Sequence, residues 1–118
     1  MTVAGASLFY NSYDVIIMFY YDKWEMIIMM YPFMTLEDDT EIVHSEMKDN
    51  GEVKVYIETP DEKDWFHHMT CYLPSYRLED EFGYDEERKE YFLDIIKSTA
   101  QLIIEFSKDG GFENASGF

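Results

Sequence analysis

The sequence predicts an α+β domain. Its antiparallel meander sheet has five strands, or six with an N-terminal segment, and packs in two layers under one long C-terminal helix. Short apolar runs recur over residues 14–73 and are separated by turn residues, as in hairpin-connected strands. Residues 85–108 then follow a helical period, with apolar side chains three and four positions apart. The links between the runs are short, which favours pairing of strands that are neighbours in the chain.

The most apolar stretch, residues 14–33, predicts a central β-hairpin. Two runs rich in Ile, Met, Phe and Tyr flank Asp22-Lys23, which is a two-residue turn, and Pro32 is expected to end the second strand. Alternation places apolar side chains on both faces, a pattern of strands that are covered on both sides. The second face is covered either by the rest of this chain or by a partner, including a second copy bound through the 14–31 hairpin.

A second hairpin is predicted around Asn50-Gly51, because both residues tolerate the positive φ angles of a tight turn. Its strands are expected at about residues 41–48 and 52–59. The second of these strands alternates apolar positions with Glu52, Lys54, Tyr56 and Glu58. We therefore expect this hairpin to have one solvated face and to lie nearer the edge of the sheet.

The last part of the predicted domain contains a fifth strand, an acidic connection and the helix. The strand covers residues 65–73, and residues 75–85 form the connection. Asp85 is the expected N-cap of the helix, and two glycines stop it after Lys108. Residues 1–109 are thus predicted to form a single domain, followed by a flexible tail over residues 110–118.

The charge of the chain restricts its partners. Its 118 residues include 25 acidic and 9 basic side chains, which give a formal net charge of −16. A field of this sign repels phosphate backbones, so direct binding to nucleic acid or to an anionic membrane is not expected. The single cysteine, Cys71, and the absence of a recognisable signal peptide predict a cytoplasmic protein.

Catalytic and metal-binding motifs are weak in this sequence. Cys71 lies in the middle of a predicted strand, where thiols are usually buried and inert, and no nucleophile or phosphate-loop motif is present. On a strand, His67 and Cys71 would lie about 13 Å apart, too far to share one metal ion. We therefore expect that the protein is not an enzyme and binds neither a cofactor nor a metal ion. If a metal ion does bind, His44, His67 and His68 are the candidate ligands.

The acidic segment around the start of the helix is the strongest functional feature. It combines carboxylates with aromatic side chains, a composition suited to a basic protein groove. The expected partner-binding residues are Glu79, Asp80, Glu81, Phe82, Tyr84, Asp85, Glu86 and Glu87, with Asp38 and Asp39 from an acidic loop.

These residues predict a small non-enzymatic interaction protein that binds a basic protein partner and neutralises or regulates it. Immunity proteins, antitoxins and inhibitors that mimic nucleic acid act in this way, and the comparison with them rests on composition alone. The alternative is a small-molecule-binding or metal-binding α+β domain. Either could be a homodimer.

Overall fold

The structure is a computed structural model that describes residues 3–10, 15–21 and 25–109, with the side chains of residues 29–109. In this part of the chain, seven antiparallel strands follow one another in a single meander and precede one helix. The elements are β1 (Val3–Tyr10), β2 (Val15–Tyr21), β3 (Glu25–Thr35), β4 (Glu41–His44), β5 (Val53–Asp61), β6 (Trp65–Leu73), β7 (Arg77–Phe82) and α1 (Glu86–Asp109).

The predicted α+β fold, with its antiparallel meander and C-terminal helix, is confirmed. The N-terminal segment forms β1, and the structure adds the edge strand β7 where the sequence predicted an acidic connection. Strand β7 was not predicted because its residues, RLEDEF, include none of the β-branched side chains that favour strands. Pairing with β6 supplies the strand conformation instead.

Strand β3 is longer than predicted and joins two parts of the sheet. It pairs with β2 through Met30 and with β4 from Tyr31 onward. The prediction that Pro32 ends this strand is wrong, because Pro32 lies within it opposite Val43. The pairing is irregular between Pro32 and Met34, which agrees with the tendency of proline to occur at bulges.

The helix α1 begins and ends close to the predicted bounds. Asp85 is its N-cap, because its Oδ1 accepts a hydrogen bond of 2.8 Å from the backbone N–H of Arg88. The helix packs its apolar stripe on one face of the sheet, which forms the two predicted layers. The fully buried members of this core include Phe92, Ile96 and Ile103 of the helix with Val53, Val55, Ile57, Met69, Cys71 and Leu73 of the sheet.

The opposite face of β5 is buried as well, so the prediction of a solvated face is wrong. Lys54, Tyr56 and Glu58 are only 6%, 0% and 4% exposed. Strand β5 is not near an edge, because β6 and β7 extend the sheet beyond it. The hydroxyl of Tyr56 donates a hydrogen bond of 2.8 Å to Oε1 of Glu58.

Burial changes the ionisation of Glu58 and Lys54 on this face of β5. It raises the pKa of Glu58 to about 7, although the hydrogen bond from Tyr56 acts in the opposite direction. It also lowers the pKa of Lys54 below its ordinary value. Both shifts favour the uncharged forms, as expected for ionisable groups removed from water.

Two predictions fall on residues outside the described part. The turn of the first hairpin and the side chains of residues 1–28 lie outside it, so a homodimer through the 14–31 hairpin stays a prediction. The tail over residues 110–118 also lies outside. Among the described residues, no helix is long and apolar enough to cross a membrane.

Candidate functional site

Arg88 brings the two predicted acidic segments together. Its guanidinium, on the first turns of α1, pairs with the carboxylate of Asp38 in the loop after β3. The same guanidinium lies over the rings of Tyr91 and Phe92, at 5.0 and 4.6 Å from their centroids. Slight burial acts to raise the pKa of Asp38, but hydrogen bonds from Thr40 and the charge of Arg88 outweigh it and lower this pKa. The neighbouring Asp39 is exposed and has a positive φ of 65°.

Strand β7 forms the edge of the sheet next to α1 and carries the predicted residues Glu79, Asp80, Glu81 and Phe82, all of which are exposed. The register with β6 shifts at this point, and Asp80 adopts a positive φ of 53°. Such a bulge discourages uncontrolled pairing along an open edge.

Two basic side chains neutralise part of this acidic region. Arg77 pairs with Glu79 at 2.9 Å, and Lys89 pairs with Glu81 at 3.0 Å. Lys89 also approaches Glu86 to 2.8 Å. Among the described residues, neither Asp80 nor Glu87 has a basic partner within ion-pair distance.

Tyr84 and Asp85 have structural contacts of their own. The ring of Tyr84 packs edge-on against Phe92, with centroids 4.9 Å apart, and its hydroxyl lies 2.7 Å from Oγ1 of Thr59. Burial raises the pKa of Tyr84 to about 12. Asp85 caps the helix, so of the residues predicted between 84 and 87 only Glu86 and Glu87 are carboxylates at the surface without a role in helix capping.

An open cleft of about 510 Å³ lies between the β5–β6 hairpin and the start of the helix. A second cleft, of about 550 Å³, adjoins it and shares Arg88 and Tyr91 with it. The first is lined by Thr59, His67, Gly83, Tyr84, Asp85, Glu87, Arg88 and Tyr91.

Three aromatic side chains near the end of the β5–β6 hairpin are exposed, and two of them were not predicted as site residues. Trp65 is 81% exposed, Phe66 36% and Phe82 48%. Trp65 also adopts a left-handed backbone conformation, with φ of 71°. The sequence placed Trp65 and Phe66 at the start of a strand, where alternation does not reveal how far a hairpin extends beyond its neighbours.

The three histidines do not form a common site. The register places His44 opposite Val55, whereas His67 and His68 lie opposite Thr59 and Glu58, three or four residues further along β5.

The surroundings of His44 and His68 also differ. His44 is fully buried beside the rings of Tyr31 and Phe33, and burial lowers its pKa. His68 stacks on Phe82 at 5.7 Å, and its Nδ1 lies 2.8 Å from the carbonyl oxygen of Asp80.

His67 lies beside the carboxylates of Asp61 and Asp64, neither of which was predicted as a site residue. Its Nε2 is 3.1 Å from Oδ2 of Asp64 and 3.7 Å from Oδ1 of Asp61. The spacing of three residues between Asp61, Asp64 and His67 was the available signal. That spacing becomes informative only in the folded chain, where the hairpin loop brings Asp61 and Asp64 close to His67 near the start of β6.

Gly83 allows His67 to take this position. It has a positive φ of 91°, and a Cβ atom built on it would overlap the imidazole ring. Gly51 has a similar φ of 85°, but a Cβ atom there would meet nothing within 4 Å. Substitution at either glycine would place a side chain at positive φ, but only substitution at Gly83 would also displace His67. Comparing the two positions therefore separates these two free-energy costs.

Gly83→Ala is expected to destabilise the protein more than Gly51→Ala. Both variants place a side chain at positive φ, which costs about 1–2 kcal/mol, and only Gly83→Ala also forces the imidazole to move. Urea denaturation followed by circular dichroism measures both losses. Equal losses would contradict the close packing of His67 on Gly83.

Cys71 has no features of a reactive thiol. It is fully buried in the core, and burial raises the pKa of its thiol to about 11. The neutral thiol therefore predominates at neutral pH.

Comparisons with protein-family models, with curated proteins and with solved structures found no match.

Proposed function

We propose that the protein is a non-enzymatic interaction protein that binds a basic protein partner and neutralises or regulates it. The binding surface comprises the exposed aromatics Trp65, Phe66 and Phe82 with the carboxylates of β7 and of the first turn of α1; we call it the acidic aromatic surface. The observation that carries the proposal is the 81% exposure of Trp65.

An exposed tryptophan in this position suits a binding anchor. Tryptophan is among the residues that most often dominate the energy of protein interfaces, because its large ring gains much from burial. Trp65 also adopts a left-handed backbone conformation directly after the hairpin turn, which costs free energy for a residue other than glycine. Positions strained in this way are concentrated at binding and active sites.

The surrounding charge supports a basic partner. Asp80 lies two residues from Phe82 on β7, Glu87 is exposed at the start of α1, and the whole chain carries a net charge of −16. Charge of one sign accelerates encounter with a partner of the opposite sign, and aromatic contacts then supply most of the affinity.

Trp65→Ala is expected to weaken partner binding by about 30-fold or more, as for an interface residue worth about 2 kcal/mol. Partners are first captured from native lysate at low salt, identified by mass and purified. Kd is then measured by calorimetry for the wild-type protein and the variant. Because Trp65 is 81% exposed, the variant is expected to unfold at the same urea concentration as the wild type.

A charge variant tests the electrostatic part separately. Asp80→Asn with Glu87→Gln removes two negative charges and spares the helix cap and the ion pairs of Arg77 and Lys89. A matched control, Asp49→Asn with Asp109→Asn, removes two charges at exposed positions elsewhere. Only the first double variant is expected to reduce the dependence of Kd on salt. If the Kd for the partner were unchanged both by Trp65→Ala and by the Asp80→Asn, Glu87→Gln double variant, the proposal would be overturned.

A further inference from the structure

We propose that Asp61, Asp64 and His67 bind a divalent transition-metal ion of the Zn²⁺ type at the end of the β5–β6 hairpin. This proposal does not depend on the proposed partner binding, although the site adjoins the acidic aromatic surface, because the ring of His67 meets that of Phe82. Each residue offers one ligand atom, and the three atoms all lie within 4.8 Å of one another.

The distances fit a metal ion with little rearrangement. Zinc bonds to imidazole nitrogen and carboxylate oxygen are about 2.0–2.2 Å long, which places neighbouring ligands of a tetrahedral site about 3.4 Å apart. The observed separations from Nε2 of His67, 3.1 Å to Asp64 and 3.7 Å to Asp61, lie on either side of that value. Small rotations of the two carboxylates would be sufficient.

The carboxylate of Asp61 is already oriented by the loop. Its Oδ2 accepts hydrogen bonds from the backbone N–H groups of Lys63 at 3.0 Å and Asp64 at 2.9 Å. Its other oxygen, Oδ1, is the one that faces His67.

The imidazole of His67 is held from the other side. Its ring lies against Gly83, and the rings of Phe82 and Tyr84 meet it edge-on at 6.0 and 5.9 Å. Packing that fixes a ligand before the metal arrives increases affinity, because less conformational freedom is lost on binding.

The ligand set selects the class of metal. One imidazole and two carboxylates suit Zn²⁺ and neighbouring transition-metal ions, whereas Ca²⁺ is bound by six to eight oxygen atoms. Three protein ligands also leave a position for water or for an atom of another molecule. His67 lines the 510 Å³ cleft, so a molecule in the cleft would lie next to this metal ligand.

The test is calorimetric titration of the untagged full chain with ZnCl₂. We expect one Zn²⁺ per chain and no saturable binding of Ca²⁺. His67→Ala and Asp64→Asn are expected to weaken Zn²⁺ binding by at least about tenfold each. The controls are His68→Ala, a neighbouring histidine on the other face, and Glu62→Gln, an acid of the same loop. Both are expected to bind Zn²⁺ as the wild type does.

A second measurement guards against variants that fail to fold. Co²⁺ in place of Zn²⁺ gives a visible absorption spectrum that reports its ligands, and circular dichroism shows whether each variant is folded. A folded His67→Ala that binds Zn²⁺ as tightly as the wild type would overturn the proposal, as would a wild type without saturable binding. In that case, the three residues form only an ion-paired cluster around His67.

Discussion

Phe92→Ala is expected to lower the free energy of unfolding by about 3–5 kcal/mol, the usual loss for removal of a buried phenylalanine. Phe92 is fully buried in the core between α1 and the sheet. It also supports Tyr84, whose ring packs against it at 4.9 Å, so its loss would affect both the core and the cleft. Urea denaturation followed by circular dichroism measures the change.

Leu102→Ala is the matched control on the same helix. Leu102 is 47% exposed, and alanine maintains helix propensity, so we expect a change within about 0.5 kcal/mol. If the two variants lost similar amounts of stability, Phe92 would not lie in the helix–sheet core as described.

Glu58→Gln is expected to remove a large part of the pH dependence of stability. The carboxyl is 4% exposed, and burial raises its pKa from 4.5 to about 7 in the folded chain. A raised folded-state pKa means that the protonated form stabilises the fold at low pH. This stabilisation is complete below pH 4.5 and is lost as the pH rises through 7. For the wild type, the loss from this group between pH 5 and pH 8 is about 2–3 kcal/mol.

The measurement is urea denaturation of the wild type and the variant at several pH values between 5 and 8. The wild type should lose stability as the pH rises, and Glu58→Gln should lose less, because its amide does not ionise. Glu62→Gln, at an exposed loop position, removes the same charge and is expected to leave the slope almost unchanged. Parallel slopes for the wild type and Glu58→Gln would show that Glu58 does not titrate in this range.

The helix was predictable because its signals are local. The apolar spacing of α1 and the capping carboxylate of Asp85 lie within a few residues of what they determine. The buried face of β5 was not predictable from alternation, because Lys54 and Glu58 are charged residues of the kind usually found in solvent. Their burial is a property of the folded domain that alternation along one strand does not report, and the additional strand β7 was missed because its sequence is acidic.

The candidate site was predictable only in part. The run of carboxylates on β7 and α1 is visible in the sequence, and the structure places Asp38 beside it through Arg88. Trp65 and the group around His67 were missed, because both depend on the geometry of one hairpin loop. Alternation along a strand predicts faces, but it does not predict a positive φ at Trp65 or the return of Asp61 and Asp64 toward His67.

The strictly sequential order of the sheet has a consequence during synthesis on the ribosome. Every strand pairs with the one made just before it, so the sheet can grow one strand at a time as the chain emerges. The helix that covers the apolar row of Val53, Val55 and Ile57 is made after all seven strands. Until α1 emerges, this row has no helix to cover it and is available to chaperones and to other nascent chains.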